Sequence, residues 1–92
     1  MADCDASLRI AVDPRTLNIR GLVHLRRGAW QSALDDFDAA VSGNANLTDP
    51  LYGRGMARLR LGRTAQGDAD LAAAIARDPG VASGFAEYGI SR

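Results

Sequence analysis

Two arginines and two aspartates recur at a single offset. Arg20 and Arg54 lie 34 residues apart, and so do Asp36 and Asp70. Matched guanidinium and carboxylate groups can hold one another across two packed elements, or they can leave the arginines as bidentate anion receptors. The first reading predicts an interhelical pair in each copy, Arg20 with Asp36 and Arg54 with Asp70. Other reactive residue types are sparse. His24 is the sole histidine, with no Ser or Cys nucleophile at a suggestive spacing, so a packing or helix-surface role is expected rather than general-base work. A single cysteine, Cys4, excludes an internal disulfide and a cysteine-based zinc cage. Nothing beside it in the sequence would activate its thiol. Asp35, Asp36 and Asp38 invite a metal reading, but neighbouring helical positions point about 100° apart and do not converge on one ion. A solvated face with one inward member is the expectation. Gly53-Arg54-Gly55 follows no strand and is no phosphate loop. No catalytic residue, metal or cofactor is therefore expected.

The elements that position these groups come from an internal repeat. Shifted by 34 residues, the chain matches itself at nine positions between 14/48 and 47/81. They include Leu17/Leu51, Gly21/Gly55, Leu25/Leu59, Arg26/Arg60, Gly28/Gly62, Ala39/Ala73 and Ala40/Ala74, with Leu22/Met56 and Val41/Ile75 conservative beside them. Each copy reads as two helices. Asp13-Pro14 and Asp49-Pro50 place a capping Asp before a Pro at the first helical position. Gly28 and Gly62 suit the left-handed residue that ends a helix. Second helices are expected over 30–41 and 64–77, with Ala33, Phe37, Ala40 and Val41 on one face and Leu71, Ala74 and Ile75 on the other's equivalent. Gly21/Gly55 and Ala33/Gly67 allow close helix approach, and Phe37/Leu71 fill the adjoining space. The organisation expected is one domain over 1–92: an N-terminal helix (3–12), repeat 1 (14–47), repeat 2 (48–81), and a partial third repeat acting as a C-terminal capping helix (82–92).

Composition agrees with a small core. Ninety-two residues fit one domain, and 47% apolar residues with only 5% aromatics imply a core of Ala, Leu, Val and Ile. Eleven basic and eleven acidic residues cancel, which argues against a binder that works by neutralising phosphates. There is no Lys, and ten of the eleven acids are Asp; with the many Ala and Gly this reads as the coding bias of a GC-rich genome. No run of apolar residues is long enough to span a membrane. The first residues lack the charged and apolar regions of a signal peptide, leaving the cytoplasm as the default compartment. Arg26, Arg27, Arg60 and Arg63 gather where first helices end, which suits the helix dipole.

The period, the helix-turn-helix pattern and the residues Leu17, Gly21, Gly28, Ala33, Phe37 and Ala40, then Leu51, Gly55, Gly62, Leu71, Ala74 and Pro79, resemble the tetratricopeptide repeat family. Gly67 stands where the family usually has Ala, and Ala45 where it usually has Pro. The resemblance implies an all-α fold of helix-turn-helix repeats stacked as a short right-handed α-solenoid, non-enzymatic, whose first helices line a concave groove for a peptide or a partner's helix. By position the groove residues implied are Asn18, Leu22, Leu25 and Arg26 in the first copy and Tyr52, Met56, Leu59 and Arg60 in the second. The family's carboxylate clamp is approximated only at Asn18, so a specificity for acidic chain ends is not expected. The partner implied is a protein or peptide of unknown identity, not nucleic acid and not a membrane. The alternative is a structural piece of a longer array, or self-association through the repeat ends.

Overall fold

The computed structural model describes residues 13–91. The helix expected over 3–12, and Cys4 with it, lies outside the described residues. Within them the chain is all-helical, with 77% of residues in five helices. These are α1 (Pro14–Arg26), α2 (Trp30–Gly43), α3 (Thr48–Arg60), α4 (Thr64–Arg77) and α5 (Val81–Glu87).

The ends of these helices follow from local chemistry. Asp13 caps α1, its Oδ1 accepting from the Arg15 amide at 2.7 Å, with Pro14 at the first helical position. At the other end Gly28 takes φ 81°, the Ala29 amide reaches back to His24 O at 2.9 Å, and the Gly28 amide to Leu25 O. This paired closure satisfies carbonyls that the last turn leaves without partners. It recurs where α3 ends, at Gly62, and again where α5 ends, at Gly89, which takes φ 93°. The second helices end alike as well. Asn44 Oδ1 accepts from the Asn46 amide after α2, and Asp78 Oδ1 from the Gly80 amide after α4, both at 3.0 Å.

Three expectations are corrected at this level. Helix α3 starts at Thr48, so Asp49 lies inside its first turn and makes no side-chain cap, and Pro50 is the third residue rather than the first. The first amides of a helix have no acceptor within it, so proline is accommodated at either place. Helix α2 runs on to Gly43 rather than stopping at Val41. The last helix, expected over 82–92, spans only Val81–Glu87, and the chain turns after it at Gly89, which adopts the left-handed closure.

Each helix packs on the next, α1 also lies against α3, and α3 against α5; α2 and α4 do not pack on each other. The core runs continuously through these contacts. Phe37, Met56 and Leu71 are fully enclosed, and Leu25, Tyr52, Val81, Phe85 and Ile90 are buried around them. Glycine sets the helix spacing. A Cβ at Gly21 would fall 2.8 Å from the Phe37 ring and one at Gly53 2.5 Å from the same ring, so Phe37 is held between α1 and α3 by two bare backbones. Gly55 and Gly67 face each other, each 2.8–2.9 Å from the other's carbonyl once a Cβ is added. Ile75, expected on the buried face of α4, is 42% exposed.

Candidate functional site

The repeated charges form two clamps. Arg20 Nε and Nη2 donate to Asp36 Oδ2 and Oδ1, both at 2.9 Å, joining α1 to α2. Arg54 Nε and Nη2 donate to Asp70 Oδ2 and Oδ1 at 3.0 Å, joining α3 to α4. Both carboxylates are buried. These hydrogen bonds, reinforced by the facing charge, hold the guanidiniums of Arg20 and Arg54 above their ordinary pKa, so both stay charged. Both pairs are bidentate, the fork geometry that arginine and carboxylate favour, although the Arg20 side chain remains 53% exposed.

The second clamp carries more partners than the first. Arg58 Nη1 donates to Asp70 Oδ2 at 2.8 Å, and Arg54 Nη1 donates to Asp38 Oδ1 at 3.0 Å. Arg54 thus ties α2, α3 and α4 together. In the first copy His24 stands at the place of Arg58, with Nε2 3.6 Å from Asp36 Oδ2, too far for a hydrogen bond. Its Nδ1 is buried without a partner among the described residues. Sequence reasoning missed both extra contacts, although each had a signal. His24 and Arg58 share the 34-residue offset, and Asp38 precedes Arg54 by the same 16 positions that separate Arg20 from Asp36. Of the acidic triplet, Asp36 points inward while Asp35 and Asp38 are exposed. No group of three potential metal ligands gathers among the described residues.

The groove residues separate into two sets. Leu25, Tyr52 and Met56 are buried, and Leu22 and Leu59 are partly buried against the same core. Helix α5 accounts for part of this, since Phe85 packs against Tyr52 with the rings tilted by 50° and their centres 4.6 Å apart. Tyr52 and Met56 are thus core residues of the first-helix layer. Arg60 is exposed, with Nη2 donating to Ser91 O at 2.7 Å. Arg26 lies over the Tyr88 ring at 5.0 Å, linking the ends of α1 and α5.

What remains open is a trough above α3, between α1 and α5. One recess is lined by Arg15, Asn18, Asn46, Leu47, Thr48, Asp49 and Pro50. The next is lined by Leu22, Asp49, Asp78, Gly80, Val81, Gly84, Phe85 and Tyr88. Asp49 lines both. Asn18 Oδ1 is buried without a hydrogen-bond partner among the described residues. Tyr88, Gly84, Asp49 and Asp78 escaped the sequence reading because helical periodicity does not say which turns border a neighbour two helices away. Among the described residues no helix is long and apolar enough to cross a membrane. No family model, curated protein or solved structure matches the chain.

Proposed function

We propose that this chain is a protein-interaction module, resembling tetratricopeptide repeats, that binds a peptide or a partner's helix along the face of α1, α3 and α5. The observation that carries the reading is an asymmetry of packing. First helices touch one another, α1 with α3 and α3 with α5, whereas the second helices α2 and α4 do not. Contacts among first helices without contacts between second helices support a stack with the first helices on its inner side, as a short right-handed α-solenoid would have. The inner face then offers Asn18, Leu22 and Arg26, with Arg60 at its end and Tyr52 and Met56 as the floor. The clamps of Arg20–Asp36 and Arg54–Asp70 tie the two helices of each pair together, which supports a preorganised face.

The test is selection of peptides displayed on phage against the folded chain, followed by amide-shift mapping with the selected peptide. Shifts are expected along α1, the start of α3, and α5. Binding that maps to the outer faces of α2 and α4 would overturn the reading. A second reading, end-to-end stacking of copies or a place within a longer array, is favoured by apolar residues exposed at both ends: Ile19 and Val23 on α1, and Ile75 on α4. It predicts a melting temperature that rises with protein concentration, and a concentration-independent monomer in sedimentation excludes the stacking.

A further inference from the structure

The trough contains a glycine that the fold does not use. Gly21, Gly53, Gly55 and Gly67 all lie within helices, and a Cβ at any of them would come closer than 3.0 Å to a neighbouring side chain or backbone. Gly28, Gly62 and Gly89 have positive φ. Gly84 has neither reason. It lies inside α5, its φ is not left-handed, and a Cβ there would meet nothing within 4 Å. A glycine within a helix is disfavoured relative to alanine because it loses more conformational freedom on folding. Gly84 lines a recess together with Leu22, Val81, Phe85 and Tyr88.

The charge around that recess has one sign. Its only charged lining residues are Asp49 and Asp78. Among the described residues Asp49 has no hydrogen bond or ion pair, and Asp78 uses one oxygen, Oδ1, to accept from the Gly80 amide. This is unlike Asp36, Asp38 and Asp70, which are all paired with arginine. Arg26 covers the Tyr88 ring but does not line the recess. A recess lined by apolar side chains, bare backbone and two carboxylates without a cationic partner suits a side chain with an aliphatic stem and a cationic head.

We propose that the recess between α1 and α5 takes a lysine or arginine side chain from a basic peptide segment of a partner protein, its stem lying over Gly84 and its head between Asp49 and Asp78. This rests on the inner-face reading above and supplies the partner's chemistry. The preference is opposite to the capture of acidic chain ends.

The experiment uses the full chain, labelled with nitrogen-15, and three blocked hexapeptides, Ala-Ala-Lys-Leu-Ala-Ala and its Lys→Glu and Lys→norleucine counterparts. The lysine peptide is expected to shift the amides of Leu22, Val81, Gly84 and Tyr88, with an affinity that falls as salt is added. The glutamate peptide is expected to leave them unchanged, and norleucine to bind about tenfold more weakly. Asp49→Asn with Asp78→Asn is expected to remove the lysine preference. Gly84→Ala provides the second readout: it is expected to raise the melting temperature while weakening the lysine peptide, a split that a purely structural glycine would not give. Equal binding of the three peptides at this face would overturn the cationic preference and leave the inner-face reading standing. Full binding by Gly84→Ala would remove the stem placement. If no peptide shifts any amide on α1 or α5, both the pocket and the inner face fail as the binding surface.

Discussion

At the residue scale the two clamps have the same design and different strength. Asp70 receives three hydrogen bonds from two arginines, Arg54 and Arg58, whose side chains are 18% and 23% exposed. Asp36 receives two from Arg20, whose side chain is 53% exposed. Breaking a buried pair leaves a charge without a partner, whereas water screens an exposed one. Asp70→Asn is accordingly expected to cost about 2–3 kcal/mol and Asp36→Asn about 1 kcal/mol in urea unfolding. Equal losses would remove the distinction. His24 is the natural lever on the weaker clamp. His24→Arg gives Asp36 the second permanent cation that Asp70 already has, and should stabilise the chain at pH 8 by up to about 1 kcal/mol. The gain should vanish in an Asp36→Asn background, and its persistence there would show that it came from helix propensity alone.

At the element scale, helix spacing depends on backbones approaching an aromatic ring. Phe37 lies between Gly21 of α1 and Gly53 of α3, so one ring sets both the spacing within the first pair and the junction to the second. Gly53→Ala should force the ring or the helix aside and cost about 1–3 kcal/mol. Adding Phe37→Leu should recover part of that loss by removing the atoms that clash, and a double variant no better than Gly53→Ala would place the strain elsewhere. The tight helix ends form a separate determinant. Gly28 and Gly62 hold φ of 81° and 83° with open space around a would-be Cβ. Replacing Gly62 by Ala should therefore cost about 1–2 kcal/mol through backbone conformation alone, read as a lower melting temperature with unchanged far-ultraviolet circular dichroism.

At the scale of the whole molecule, α5 completes the core although it has only seven residues. Its Phe85 is buried against Tyr52, and Ile90 folds back beneath the same cluster after the Gly89 closure. Phe85→Ala should cost about 3–5 kcal/mol. That is a large fraction of the roughly 5–10 kcal/mol expected for a domain of this size, so the variant should melt early and bind a hydrophobic dye. A stable, dye-negative variant would show that α1–α4 hold together without this helix. Much of the all-helical architecture was legible in the sequence alone, because its determinants are local: an Asp-Pro start, Gly at the helix ends, and apolar residues at helical spacing repeated after 34 positions. The Arg–Asp spacing was legible for the same reason, since a repeat copies its internal contacts. What tertiary structure decided depends on neighbours that periodicity does not name. Tyr52 packs against Phe85 of α5 and Met56 is enclosed in the core; Gly89 closes α5; Gly53 meets Phe37 of the preceding copy; and Asp49 and Asp78 line one recess. Each of these follows from which helix lies beside which, and a side chain's burial is set by that neighbour and not by its own position in the repeat.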